Sequence, residues 1–329
     1  MRLIGRTLDD LLQKLLSKLL VTTNYTSPSR GGARELVGVL LELKNPRARL
    51  SRSETRGKPF SCLGEFLWYL TGDNRLDFIS YYIPAYYAET EDGETIYGGY
   101  GPRLFRQRGH NQIQNAIDLL LVKPESRRAV IQIFDAEDIA QRHKEVPCTC
   151  TLHLLARQKR LHMLTNMRSN DSYKGLPHDI FCFTMLQEVL ARTLGLEIGT
   201  YKHFVGSMHL YEEDQEVARQ YLNEGWQSTI SMPPMPIGDP WPSLRKLLDA
   251  EYRIRYGAEF DVNVWDVEPY WADLIRLLQV FAATGNIGKV EAFKRNMVFD
   301  NYAAYIEKRK EMMPRVIRPL PLQQLLLPL

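Results

Sequence analysis

Residues 149–157 and 160–168 alternate apolar and polar side chains and are separated only by Gln158 and Lys159, a period of two that no helix satisfies. They read as two strands, and so do 35–43, 127–134 and 200–208. Apolar residues at helical spacing predict helices near 6–21, 61–72, 111–122, 180–194 and 212–223. This mixture of elements is that of an α+β domain. The proline-dense "SMPPMPIGDPWP" (231–242) removes backbone donors and restricts each preceding residue, which makes it the domain boundary. Residues 1–236 are therefore expected to form one domain and 237–329 a helical C-terminal extension. In the extension, "VEPYWADLIRLLQVFAATG" and "KVEAFKRNMVFDNYAAYIEKRKEM" predict two long helices, and "RPLPLQQLLLPL" reads as a packing or flexible tail too short and proline-broken to span a bilayer.

Composition narrows the functional classes. The chain has 329 residues, 44% hydrophobic and 25% charged, enough to bury a large core. A net charge of +3 suits a phosphate-bearing small molecule but lacks the concentrated basic footprint of a dedicated nucleic-acid binder. Four cysteines do not make a disulfide scaffold, and without C-x-x-C spacing they predict no metal site; a reducing cytoplasm is expected. The N-terminal "MRLIGRTLDDLLQKLLSKLLVTT" interleaves leucines with charges and reads as an amphipathic helix, not a signal core, and no membrane span follows.

The window "NMRSNDSYKGLPHD" (166–179) concentrates hydrogen-bonding groups between apolar stretches. Arg168 can bind an anion, Ser169 and Asn170 offer neutral hydrogen bonds, and Gly175-Leu176-Pro177 predicts a close turn before a helix near Asp179. Taken singly, Asp179 reads as a helix N-cap and Cys148, in "VPCTC", as a small buried hydrophobe.

Taken jointly, the motifs change that reading. "LGEFLWYLTGD" with Glu65, "YGGYG" with Tyr100, "SRRAVIQIF" with Arg127 and Arg128, "VPC" with Cys148, "MRSND" followed by "GLPHD", and "VGSMHLY" with His209 and Tyr211 stand in the order of one family. Over roughly residues 20–236 the chain resembles the thymidylate synthase and pyrimidine-nucleotide hydroxymethylase superfamily. The resemblance implies a mixed β-sheet at a homodimer interface and one-carbon transfer from 5,10-methylenetetrahydrofolate to C5 of a pyrimidine nucleoside monophosphate. It makes Cys148 the nucleophile that adds to C6, with Arg168 both favouring its thiolate and holding the substrate phosphate. Arg127 and Arg128 would serve the phosphate site of the partner subunit. Arg30, in "SRGGAR", would be the phosphate-binding arginine of a mobile loop, with Arg34 as its competitor. Ser169 would lie near the phosphate or sugar, His209 and Tyr211 would bond the sugar hydroxyl, and Asp171 and Gly175 would face the folate pterin. Glu65, partly desolvated, would handle water and protons together with Tyr100.

Asp179 decides the base. Synthases carry asparagine there, whose donor and acceptor complement the uracil edge, whereas a carboxylate accepts the N4 amino group of cytosine. A mispaired buried edge costs on the order of a few kcal/mol. The reading is therefore a folate-dependent hydroxymethylase of CMP or dCMP, in which water adds to the methylene carbon. The alternatives are a thymidylate synthase and, from another class, a non-catalytic nucleotide- or RNA-binding relative. Departures from the synthase pattern are Thr149, where a histidine often follows the nucleophile, Tyr86 in place of a folate-pocket tryptophan, and a C-terminus without the family's closing segment.

Overall fold

The computed structural model describes residues 1–27, 31–52, 58–226, 228, 230–258 and 260–315. The chain forms two compact units, Met1–Met232 and Pro233–Leu329. The first opens with strand β1 (Arg2–Gly5) and helix α1 (Leu8–Leu19). A capping box between Thr7 and Asp10 starts α1, and Leu8, Leu11, Leu12, Leu15, Leu16 and Leu19 bury one helical face. Next come β2 (Tyr25–Thr26), β3 (Ala33–Leu43), α2 (Pro59–Leu70), α3 (Leu76–Tyr82), α4 (Tyr100–Phe105) and α5 (Gln112–Val122). The chain continues through β4 (Val130–Gln132), β5 (Thr149–Arg157), β6 (Arg160–Asp171), α6 (Gly175–Thr193), β7 (Glu197–Tyr211) and α7 (Gln215–Asn223).

One mixed sheet organises the unit, in the order β1-β3-β7-β6-β5-β4 with β2 beside β3. The β6/β7 pair is parallel and joined by α6, while β5/β6 is an antiparallel hairpin. Along β5 and β6, Leu152, Leu154, Leu161, Met163 and Met167 face the core, in the alternation the sequence displays. Helix α6 is buried along most of its length because α2 and the sheet strands β6 and β7 all pack on it. Gly206 permits the close approach of β7 to β6, since a β-carbon there would stand 2.8 Å from the carbonyl oxygen of Arg168.

Three expectations require correction. Helix α6 begins at Gly175, so Asp179 lies inside its first turns and is not an N-cap. The glycine-leucine-proline sequence is compatible with a helix start because a residue in the first turn needs no backbone donor. The strand expected over 127–134 contracts to Val130–Gln132. In the second unit, α8 (Trp241–Arg255) begins within the proline-rich boundary, with Pro242 in its first turn, and α9 (Pro269–Ala282) is long as expected. The last predicted helix is instead α10 (Ile287–Arg295), a break, and the short α11 (Ala303–Glu307). Asp273 explains the break by accepting the backbone N–H groups of Val298, at 3.0 and 3.1 Å, and Phe299, at 2.8 Å. The terminal tail lies outside the described residues.

Helix α6 is also anchored electrostatically. Glu188 accepts from fully buried Arg49 and, at 2.6 Å, from Arg47 Nε. Glu188→Ala leaves Arg49 enclosed without its carboxylate, and a loss of about 3–5 kcal/mol is expected in denaturant unfolding.

Candidate functional site

Cys148 sits half-buried immediately before β5. Arg168, near the end of β6, clamps this turn: its Nε donates to Pro147 O at 3.0 Å and its Nη2 to Val146 O at 3.0 Å. The same Nη2 lies 3.6 Å from Cys148 Sγ. A guanidinium in this position stabilises a negative sulfur. The backbone N–H of Arg168 donates to Cys148 O at 2.9 Å, so strand pairing and the side chain fix one geometry.

Tyr100, the first residue of α4, accepts from the backbone N–H of Thr149 at 3.2 Å and from the Thr149 hydroxyl at 3.0 Å. Thr149, where many synthases carry histidine, thus ties the phenol to the residue next to Cys148 and leaves the phenolic proton available. Burial, then the negative charges of Asp179 and Cys148, push the Tyr100 phenol well above its usual range, so it acts as a neutral donor.

Glu65 comes from α2. Its Oε1 accepts from Tyr69 at 3.2 Å and Tyr86 at 2.9 Å, and its Oε2 lies 2.6 Å from His178 Nδ1. Trp68 meets the Tyr86 ring edge-on at 5.5 Å, which fixes the phenol. The sequence points to a partly desolvated acid working with Tyr100; the fold adds an imidazole against it. His178 gives no signal of its own in the sequence, because Gly175-Leu176-Pro177 reads as a turn and so hides its helical register.

Asp179 accepts from Asn170 Nδ2 at 2.7 Å. Burial, followed by the charge of Glu65, drives the Asp179 carboxyl up to about 7 against the opposing Asn170 bond. Behind Asn170 stands a second residue missed in the sequence, His203 on β7, whose Nε2 is 3.1 Å from Asn170 Oδ1. Burial drives the His203 pKa down to about 3, so the ring is neutral, and Tyr201 OH lies 2.8 Å from its Nδ1. Asn170 Oδ1 can only accept, so the Nε2–H form of the ring is the one that donates to the Asn170 carbonyl. The amide is thereby oriented with its NH2 toward Asp179.

The other expected residues divide. Ser169 Oγ and His209 Nδ1 stand 3.4 Å apart on neighbouring strands, and the His209 and Tyr211 rings meet edge-on at 4.8 Å. Asp171 Oδ1 accepts from the Tyr173 and Lys174 backbone amides at 2.8 and 3.2 Å. Gly175 lies beside this acid and beside the Asn170 amide. Arg127 and Arg128 are exposed, and among the described residues their guanidinium groups make no hydrogen bond or ion pair. Arg30 lies outside the described residues. Its competitor Arg34 is engaged within the subunit, donating to Thr22 O at 2.6 Å and to Gln215 Oε1 at 3.3 Å. Among the described residues no histidine, cysteine and carboxylate group is arranged to hold a metal, and no helix is long and apolar enough to cross a membrane.

Residues 55–252 match the sequence profile of thymidylate synthase. Similar curated proteins are deoxyuridylate hydroxymethyltransferases of phages. That of Delftia phage PhiW-14 is 31% identical over 216 residues, 61% of this chain and 60% of the relative. That of Bacillus phage SP01 is 29% identical over 218 residues, 62% of this chain and 57% of the relative. That of Pseudomonas phage M6 is 32% identical over 167 residues, 49% of this chain and 47% of the relative. The chain therefore spans less than two thirds of the length of these relatives. With a cysteine held under an arginine, and a profile match that runs through Glu65, Tyr100, Cys148, Asp179 and His209, the chain belongs to the thymidylate synthase family.

Proposed function

We propose that this protein is a one-carbon transferase that hydroxymethylates C5 of a cytidine monophosphate, CMP or dCMP. The observation that carries the choice of base is the buried Asp179 carboxyl, hydrogen-bonded to Asn170 at 2.7 Å and raised by burial to about 7, so that its protonated form is available near neutral pH. A bare carboxylate suits the N4 amino group of cytosine but sets a second acceptor against N3. The neutral acid accepts from N4 and donates to N3, a much more basic atom than the O4 of uracil. Protonation at N3 also offsets the charge that builds in the ring as a sulfur adds to C6.

In this reading the Cys148 thiolate attacks C6 while Arg168 stabilises it, and C5 becomes nucleophilic. Tyr100 and Glu65 manage the proton lost from C5 and the water that follows. His209 and Ser169 hold the sugar, with Tyr211 beside them. The nucleotide phosphate takes Arg168, the Arg30 loop, and Arg127 and Arg128 of a second copy. Two exposed, unpaired cations suit service to a partner subunit. So does the outward sheet face, where Leu40, Phe204 and Asn166 line up across three strands with Phe204 42% exposed. 5,10-Methylenetetrahydrofolate supplies the one-carbon unit. The residues fit its pterin: Asp171 Oδ2 makes no hydrogen bond among the described residues, and Gly175 next to it presents no side chain.

A second reading, hydroxymethylation of deoxyuridylate, draws on the printed names of the phage relatives and on the same neutral Asp179, which can also donate to O4. Incubation with CMP, dCMP, UMP or dUMP plus methylenetetrahydrofolate, followed by mass spectrometry, separates the two. A hydroxymethylated cytidylate with tetrahydrofolate release is expected. A product gaining only a methyl group, with dihydrofolate appearing, points to a synthase, and product from uridylates alone favours the second reading.

A further inference from the structure

His178 occupies the position on α6 just before Asp179, and its side chain and that of Glu65 are 14% and 7% exposed. The 2.6 Å contact between His178 Nδ1 and Glu65 Oε2 is therefore a largely dry pair, shielded from salt and water. Ser61 and Cys62 on α2 face the ring, the Ser61 hydroxyl at 3.3 Å from Nε2, and Asp179 adjoins it on its own helix. Tyr69 and Tyr86 occupy the other Glu65 oxygen, with Tyr100 and Cys182 close by. Around the ring these groups are acceptors or become anionic on titration. Burial opposes charge on the imidazole, but Cys62 and Glu65 outweigh it and hold the pKa up at about 10.

We infer that His178 is a positioning residue for the reaction: its ring, paired with Glu65 at 2.6 Å, aims that carboxylate so that Glu65 takes the proton of the water adding to the exocyclic methylene carbon. The inference rests on the one-carbon-transfer reading. The water oxygen bonds to the methylene carbon, and the exocyclic π pair moves into the ring. The C5=C6 bond re-forms as the C6–S bond breaks, and the sulfur leaves as the thiolate. One water proton passes to Glu65 and the other stays on the new hydroxyl. The step needs a carboxylate oxygen aimed at the water and able to take its proton, so the partner that holds Glu65 controls it.

The test combines the wild type, His178→Phe and His178→Asn. Phenylalanine keeps a planar ring but removes both donor and charge, while asparagine restores a neutral donor. In His178→Phe the acid limb of the kcat profile is expected to move up by about 1–2 pH units, with roughly tenfold loss near pH 6 that recovers as pH rises. The KM for nucleotide should stay within about threefold, because the pair does not hold the phosphate or sugar. His178→Asn should lie between the two. In the ligand-free wild type, ring nitrogen NMR should find His178 charged through pH 8, and Glu65→Gln should bring its titration back into the ordinary histidine range. A wild-type ring titrating near the ordinary value, or an unshifted acid limb in His178→Phe with wild-type turnover intact, overturns the inference alone. A wild type that turns over no pyrimidine nucleotide overturns the functional reading, and this inference with it.

Discussion

Replacing Cys148 with serine is expected to lower kcat by about 10³-fold or more while nucleotide affinity stays within a few-fold of wild type. Serine keeps the shape but loses the acidity, and a guanidinium 3.6 Å away, which favours a thiolate, cannot ionise an alcohol. That loss corresponds to about 4 kcal/mol of transition-state stabilisation. Steady-state kinetics with isothermal titration separate the lost chemistry from retained binding. Intact-protein mass spectrometry adds a direct readout. A 5-fluoropyrimidine nucleotide cannot release the group at C5 as a proton, so with the reduced folate it should remain bonded to the wild type and leave Cys148→Ser unmodified. Serine turnover near the wild-type rate would show that no covalent bond at residue 148 is needed.

Asp179→Asn carries the second large effect. An amide can match the neutral acid's donor and acceptor but cannot transfer a proton to N3, so kcat/KM for cytidylate should fall about 10²-fold, while that for uridylate holds or rises. A positioned proton donor typically contributes about 10²–10⁴-fold, which sets this scale. The two proteins should also differ in pH response. Asp179 carries its proton below about 7 and loses it above, so wild-type cytidylate turnover should decline as pH rises through that value. The asparagine variant has no such alkaline limb at this position. Competition assays with equal CMP and UMP, or their deoxy forms, across pH 5.5–8.5 measure both effects. Unchanged base preference in the variant would remove Asp179 from base recognition.

Much of the arrangement could be read along the chain, for reasons that differ by element. The hairpin of β5 and β6 was visible because period-two alternation directly encodes which face is buried. Asp179 and Arg168 stood out because charged groups between apolar runs must find partners. His203 was different: it touches Asn170 only because β6 and β7 run parallel in a particular register, and no local pattern reports a register across an intervening helix. His178 was hidden by the turn chemistry of Gly175-Leu176-Pro177, which here starts a helix instead of interrupting one. The broken C-terminal helix depended on Asp273, more than twenty residues upstream of the amides it captures. Tertiary partners, not local propensity, set these features.

The strand-helix-strand run from β6 through α6 to β7 carries Arg168, Ser169, Asn170, Asp171, His178, Asp179, His203, His209 and Tyr211 within one unbroken stretch of chain. The Cys148 sulfur and Glu65 enter from elsewhere, Cys148 ahead of β5 and Glu65 on α2. In the proposed function, base and sugar recognition is thus concentrated in one piece of the gene, together with Arg168 and His178, which serve the groups outside it. An exchange within residues 160–211 that spares Arg168 and His178 would be expected to change which base is admitted while Cys148 and Glu65 stay in place.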